Sequence, residues 1–413
     1  MEKIVKFGKT IRNNWKKSVV GLIALYYGGS TVKDRYQINV LMRAACKEAA
    51  QYGDQEIPME RNPTLVTVIL NPVANKRKAK QDYEKYCEPL LHLAGLQVEV
   101  IQTASEGNAK EIVETLKGTE AIIIAGGDGT LSESVTGLLR RNDNANQFPL
   151  GILPLGRTNS IGNTLFSGGK GVEHVKQLIE ASMAIIKGKT VWKDAMKIEP
   201  IAEQNGVPSR PIYAMSSIEW GAFRDTLARR DKYWIYGSLR EYAAYIFNGY
   251  KNSITWDCSG AIKYTLPCIG CGNCVQRRPE IKRKWAFFMP STQALEETTA
   301  INPDCASSHE LCFKTCDLKI AIDNAGEIPA LGIVLGKNKY SYTEFVSEGW
   351  RRLKQDVNAR AIHARTVELH PKETEKEVTI EIDKEDFELK PVKITLLPKV
   401  VKLFCNPQIN STN

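Results

Sequence analysis

The sequence predicts an α/β domain built on an open parallel sheet, followed by a mainly-β domain of sandwich type. Three observations predict it. Between residues 65 and 154, compact apolar runs alternate with amphipathic stretches at short intervals, the rhythm of strand–helix–strand units. After about Trp192 that rhythm gives way to short runs rich in Val, Ile, Thr, Tyr and Trp, broken by Gly, Pro, Asn and Asp. The chain, at 413 residues, is also longer than one hydrophobic core usually sustains.

Each element follows from its residues. Residues 1–60 read as a helical lead-in that ends in the polar break Tyr52-Gly53-Asp54-Gln55. Leu65 to Leu70 is a β-type run stopped by Asn71-Pro72, and a long polar helical stretch then runs to about Leu93. Leu96 to Ile101 alternates as a strand does, and Asn108 to Leu116 reads as a short helix stopped by Gly118. Ala121 to Ala125 is wholly apolar, as a strand buried on both faces must be, and Leu150 to Pro154 is another strand. Between them Leu131, Val135, Leu138 and Leu139 recur at helical spacing. In the second half, Tyr233 to Phe247 has helical character, and three alternating runs (378–382, 392–397 and 400–404) close the β domain. These boundaries give an N-terminal segment 1–60, an α/β domain 61–191, a β-rich domain 192–405 and a short tail 406–413.

Charge narrows the partners without choosing one. The net charge of +9 favours anions: nucleotides, nucleic acid or acidic lipid surfaces. No C₂H₂ spacing, RNP motif or helix-turn-helix supports nucleic acid. Lys3, Lys6, Lys9, Arg12, Lys16 and Lys17 are interleaved with Ile4, Val5, Phe7, Ile11 and Trp15, which on a helix sets a basic face against an apolar stripe. Such a segment serves as an organelle transit peptide or lies in a membrane interface; a plain basic extension is the bland alternative. Nowhere does the chain reach the 18 or so apolar residues of a spanning helix.

The chemistry is carried by Gly126-Gly127-Asp128-Gly129-Thr130, placed between a buried strand and an amphipathic helix. The glycines let backbone approach a phosphate closely, and the helix that follows aims its free N–H groups and positive dipole end at the same point. Asp128, the one acid in the loop, is placed to take a proton from an attacking hydroxyl or to hold Mg²⁺. The spacing fits neither a Walker loop nor the G-x-G-x-x-G fingerprint. A tight strand-to-helix turn capped by Asp128 is the structural alternative. Asn71-Pro72 and Leu153 to Ser160 end two further strands of the same sheet, and loops at the carboxyl ends of parallel strands share one crevice.

Asn71-Pro72, Gly126 to Thr130 and Leu153 to Asn159, in this order, resemble the diacylglycerol kinase type of lipid kinase, a family that takes in sphingosine, ceramide and acylglycerol kinases and, more distantly, NAD kinases. Trp220-Gly221, Lys232-Tyr233, Gly237 to Arg240, Ile382 to Glu385 and Leu397-Pro398 extend the resemblance over residues 60–405 in pieces, most similar to the acylglycerol kinases of mitochondria. The resemblance implies an ATP- and Mg²⁺-dependent kinase acting on monoacylglycerol and diacylglycerol. It implies catalytic roles for Asp128 and Glu385. Asn71, Pro72, Thr103, Gly126, Gly127, Gly129, Thr130, Glu133, Gly156, Asn159, Arg240 and Asp383 would form the nucleotide site, and Asp225 would touch substrate. It further implies peripheral attachment through the N-terminal segment to a mitochondrial inner membrane, facing the intermembrane space, and an alternative or additional role in that membrane's carrier translocase. Two positions depart from the family pattern: Arg157-Thr158 stand where a small residue and a glycine are usual, and Lys384 replaces the glycine of Asp-Gly-Glu. The carboxylate that a sphingosine kinase places beside its substrate's cationic amine falls at Leu227, with Asp225 two residues earlier, which favours a neutral glycerolipid over sphingosine; a sphingosine or ceramide kinase is the further alternative.

The cysteines remain apart from this chemistry. Cys268, Cys271 and Cys274 form C-x-x-C-x-x-C, and Cys305, Cys312 and Cys316 follow some thirty residues on. Zinc, disulfides and unpaired thiols are all compatible with that spacing.

Overall fold

The computed structural model describes residues 15–55, 64–143, 148–201, 210–248, 258–268, 307–324, 326, 328–354, 361–372 and 378–406. The basic stretch 3–14 lies outside them, as do Cys271, Cys274 and Cys305.

The first domain is an open parallel sheet. Its strands are β1 (Leu65–Leu70), β2 (Gln97–Gln102), β3 (Ala121–Gly126) and β4 (Leu150–Pro154), in the order β2-β1-β3-β4. All six residues of β3 are buried, because helices cover both faces of a central parallel strand. Val68, Ile69, Ile122 to Ile124, Leu150 and Leu153 form the middle of the core. Short helical turns between residues 74 and 93, then α2 (Asn108–Thr115), α3 (Asp128–Leu139) and α5 (Val172–Lys187), supply the covering layers. The preceding helix, α1 (Trp15–Gly53), is not a detached leader throughout. Its Ala45 and Ala49 pack on Leu90 and Met183, and Glu48 pairs with Lys187 at 2.8 Å. Earlier along it Val20, Val32 and Tyr36 are exposed. No helix among the described residues is long and apolar enough to cross a membrane.

The second domain is a sandwich, as expected, but it is stitched to the first by two long strands. β5 (Thr190–Pro200) and β16 (Val392–Phe404) pair antiparallel over nearly their whole lengths. The first half of β16 also pairs with β13 (Thr366–Pro371), which continues to β8 (Cys258–Thr265) and β9 (Ser308–Thr315). Its last residues instead meet β4, with Leu403 opposite Leu150. One ten-stranded sheet therefore runs through both domains. Facing its antiparallel half is a six-stranded sheet, in the order β12-β11-β10-β7-β14-β15. Here β7 is Ser217–Gly221, β10 Asp317–Asp323, β11 Ala330–Leu335, β12 Ile362–Ala364, β14 Thr379–Ile382 and β15 Glu385–Glu388. Met196, Ile218, Trp220, Ile262, Ile320, Ile333, Val367 and Ile394 fill the space between the two sheets.

Two sequence-based expectations change. Runs 392–397 and 400–404 are one strand, not two: the Pro398-Lys399 interruption is a β-bulge, with Lys399 at φ +51° and its N–H on Asp194 Oδ1 at 2.7 Å. The segment 233–247 is a 3₁₀ stretch (Arg230–Leu239) followed by an α-helix, α7 (Arg240–Asn248), with Gly237 at φ +56° near the junction.

Candidate active site

The site forms where β1, β3 and β4 end, the crevice at which open α/β sheets bind ligands. Asn71 leaves β1 and donates through Nδ2 to Thr130 Oγ1 at 3.0 Å, tying the first loop to the glycine loop. The glycine loop and the loop after β4 are in turn fastened to each other. Gly156 N–H donates to Gly126 O at 2.9 Å and Asp128 N–H to Thr158 O at 3.0 Å. Asn159 then locks Gly156 from both sides, accepting from its N–H at 3.0 Å and donating to its carbonyl at 2.9 Å. In the first turn of α3, the N–H groups of Gly129 and Thr130 have no partner within the helix.

Asp128 sits in this frame with a buried carboxyl. Its Oδ1 accepts from Ser160 N–H at 2.7 Å and its Oδ2 from Ser160 Oγ at 3.0 Å. Burial raises its pKa above the ordinary carboxylate value, while Ser160, Thr158 and the Lys384 cation act against the rise. Ser160 was not singled out by the sequence. It begins the short helix α4 (Ser160–Leu165), and the aspartate bonds that helix's first amide.

Glu385 reaches the same place from the second domain. Its side chain lies over Gly129, where a Cβ would meet its Oε1 at 2.4 Å. A cavity of about 350 Å³ is lined by Asn71, Thr103, Gly127 to Thr130, Glu133, Gly156, Arg157 and Glu385, so residues more than 300 positions apart share one wall. Burial, then the charges of Glu133, Glu106 and Asp383, pushes the Glu385 pKa up to about 8, against a smaller pull from Lys110. Among the described residues no hydrogen bond fixes that carboxyl.

Glu133 accepts from the N–H groups of Gly107 at 2.8 Å and Ala109 at 3.2 Å, holding the loop after β2 against the cavity. Asp383 does not line the cavity. It is 5% exposed, and its carboxylate accepts from the backbone N–H groups of Met215, Ser216 and Ser217 at 2.6 to 3.1 Å. Burial raises its pKa to about 6 despite those bonds. It opens the two-residue turn between β14 and β15, and both turn residues, Asp383 and Lys384, have positive φ (+46° and +71°). A glycine is favoured at that second position; Lys384 is held there by Glu381 at 2.7 Å and Glu219 at 3.4 Å. Asp225 pairs with the buried Arg224 at 2.7 Å and is not in the wall of the cavities described here. Arg240 also lies outside the nucleotide cavity, 3.4 Å from Asp231.

Arg157, a departure from the family pattern, takes a position that the sequence did not assign. It lines the first cavity and also a second of about 350 Å³, which shares Glu106, Arg157, Thr158 and Glu385 with it. Its Nη1 bonds Asp231 at 2.9 Å, so Asp231 links Arg157 to Arg240. A larger cavity, about 640 Å³, borders Ser160 between α4 and the strands β5 and β10, and has neither Asp128 nor Glu385 in its wall. Asp128 lines the first of the smaller pair, and Glu385 lines both.

Among the described residues no three His, Cys, Asp or Glu side chains converge to cage a metal. Of the clustered cysteines, Cys268 and Cys316 are buried and Cys312 is exposed; the remainder of that set lies outside the described residues.

Comparison with known proteins agrees with this geometry. Residues 65–198 match the family model described as diacylglycerol kinase catalytic domain, and residues 215–412 the one described as acylglycerol kinase C-terminal. The chain is 35% identical to the mitochondrial acylglycerol kinases of Mus musculus and Homo sapiens, over 97% of this chain and 97% of each relative. A crystal structure of a diacylglycerol kinase from Bacillus anthracis shares the fold, with a TM-score of 0.51 at 17% identity over 84% of this chain and 98% of that one. The chain belongs to the acylglycerol kinase family, within the lipid kinases of the diacylglycerol kinase type.

Proposed function

We propose that this protein transfers the γ-phosphoryl group of ATP to a free hydroxyl of monoacylglycerol or diacylglycerol, giving lysophosphatidic or phosphatidic acid. The observation that carries the proposal is the meeting of Asp128 and Glu385 at one cavity, one from each domain, beside a glycine loop built for phosphates. Residues 61–191 serve as the nucleotide domain, and residues 192–405 bring the acceptor. The N–H groups of Gly129 and Thr130 hold phosphate oxygens, and Arg157 adds a cation at the rim. Asp128 would hold Mg²⁺, which would supply charge neutralisation at the transferring phosphoryl group. Glu385 takes the proton as the acceptor oxygen bonds to the γ-phosphorus and the bond from that phosphorus to the β,γ-bridging oxygen breaks, releasing ADP.

The test is phosphate transfer in mixed micelles to monoacylglycerol, diacylglycerol, ceramide and sphingosine, with NAD as a soluble control. Transfer to the acylglycerols first and foremost supports the reading; preferential turnover of sphingosine or NAD overturns it. The relatives carry the word mitochondrial in their names, which supports a mitochondrial setting, and the basic N-terminal segment supports peripheral attachment to an inner membrane. A role confined to a translocase would have no use for the Ser160 brace on Asp128 or for Glu385, both of which are in place.

As a base, Glu385 must be ionised. Its raised pKa means that kcat/KM, which reports the free enzyme, climbs with pH to a midpoint near 8. In Glu385→Gln that limb disappears along with most of the rate. The same shift opposes folding. Between the ordinary carboxylate value of 4.5 and about 8 the folded state holds a proton that the unfolded state has lost, so this group's contribution to stability falls as pH rises through that window. Glu385→Gln therefore melts higher than the parent at pH 8, a difference calorimetry reads directly. Arg157→Ala raises the KM for ATP roughly five- to tenfold and changes kcat less, the loss of one charge-assisted contact. An unchanged KM in initial-rate measurements would remove Arg157 from the phosphate site.

A further inference from the structure

The two cavities that carry the chemistry leave no room for acyl chains. The second, which adjoins Glu385, has only Leu227 and Ala228 as apolar lining; the rest is charged or polar, including Glu219, Arg224, Arg230 and Lys384. It suits a glycerol headgroup. If the catalytic reading holds, the acyl chains of the acceptor must rest somewhere else while its hydroxyl reaches Glu385.

The 3₁₀ stretch Arg230–Leu239 begins at that cavity, since Arg230 lines it, and then runs outward. None of its ten residues is buried. Trp234 is 76% exposed, Ile235 74% and Leu239 60%, with Tyr236 and, on α7, Phe247 also open to solvent. Single exposed apolar residues are ordinary; a run of large ones on one short segment beside a catalytic cavity marks an interaction surface. The segment is held in shape: Tyr233 stacks on Phe247 with centroids 5.6 Å apart, and Asp231 anchors it to Arg157 and Arg240. Arg229, Arg230 and Lys232 flank the apolar run, and Asp231, the acid among them, is occupied by its two arginines. Trp and Tyr beside basic side chains is the composition that settles at a bilayer's headgroup level, with anionic lipid attracted to the cations.

We propose that Trp234, Ile235 and Leu239 insert into the surface of an anionic bilayer and hold the mouth of the Glu385 cavity against it. The acyl chains of the acceptor then stay in the membrane while its glycerol hydroxyl enters the site. This contact is distinct from the N-terminal helix and resides in the catalytic body itself. It rests on the acylglycerol kinase reading for its substrate.

The full-length protein keeps its N-terminal helix, so bulk vesicle binding is not the readout. Two activities are compared in the parent and in a Trp234→Ala/Ile235→Ala/Leu239→Ala variant. One uses diacylglycerol embedded in vesicles of phosphatidylcholine with phosphatidylserine; the other uses a short-chain diacylglycerol dissolved below its micellar limit. The expected result is a loss of roughly tenfold or more on vesicles, with the dissolved acceptor turned over as before. In parallel, vesicles of bromine-labelled lipid quench part of the parent's tryptophan fluorescence, and that part is missing in Trp234→Phe, which keeps its vesicle activity. Equal loss on both acceptors overturns the proposal by making the segment structural. No loss on either, with no quenching assigned to Trp234, overturns it by showing the patch covered by another part of the chain or by a protein partner. Failure of the parent on both acceptors strikes at the kinase reading, while quenching at Trp234 still reports on the membrane contact.

Discussion

Asp128→Asn lowers the rate of phosphate transfer to monoacylglycerol by roughly 10³-fold, the scale of removing a group that organises charge around a transferring phosphoryl. Its fold survives. The carboxamide has nearly the shape of the carboxyl, its oxygen still accepts from Ser160 N–H, and its NH₂ can donate to Ser160 Oγ, which accepts as readily as it donates. Neutralising the side chain also relieves the burial that raises the carboxyl's pKa, so the melting temperature stays level or rises slightly. Loss of rate without loss of stability is what separates a chemical role from a capping role. If Asp128 only terminated the turn, Asn, itself a good cap, would leave the rate near the parent value. Transfer assays beside calorimetry on the same preparation distinguish the two, and retention of more than a tenth of the rate would sink the chemical assignment.

What the sequence made legible was local. β3 and β4 announce themselves because a strand buried on both faces must lack polar side chains, β1 does so with Thr67 its one polar residue, and the glycine loop does so because no other residue type allows backbone so near a phosphate. The convergence of Asn71, Asp128 and Gly156 then follows from the sheet's topology. The unread features depend on distant partners. The resemblance put Asp383 among the nucleotide-site residues, whereas its bonds go to backbone amides 166 to 168 positions away, for which no local pattern exists. Arg157 broke the family pattern, and only the fold shows that the break puts a cation on the wall shared by two cavities and ties it to Asp231. The docking of α1 through Ala45 and Ala49 was invisible for the same reason: alanines facing Leu90 and Met183 resemble any other helical alanine.

Gly156→Ala tests the frame rather than the chemistry, and its effect should be nearly as large. A Cβ on Gly156 would lie 2.2 Å from Gly127 Cα and 2.7 Å from Gly127 N, with Asn159 Oδ1 at 2.9 Å. The first two are backbone atoms and cannot swing aside. Nor can the loops separate cheaply, because Gly156 N–H is bonded to Gly126 O and Asp128 N–H to Thr158 O. Relieving the overlap breaks at least one of these bonds and carries Asp128 away from Ser160. The expected destabilisation is roughly 2–4 kcal/mol, the range for overpacking compounded by lost buried hydrogen bonds. Because the displaced loop bears the phosphate-facing amides, nucleotide binding should weaken with it, by about 100-fold if two such contacts are lost. Gly129→Ala gives the contrast. There the new methyl meets the end of the Glu385 side chain, a flexible group that can turn away, so stability holds while the base is pushed out of position. The pair of variants thus separates a loop that must be narrow to exist from one that must be narrow to work. Melting curves together with ATP titration calorimetry read both properties. A Gly156→Ala protein that binds ATP as the parent does would mean that the two loops are not held together as the glycine contact requires.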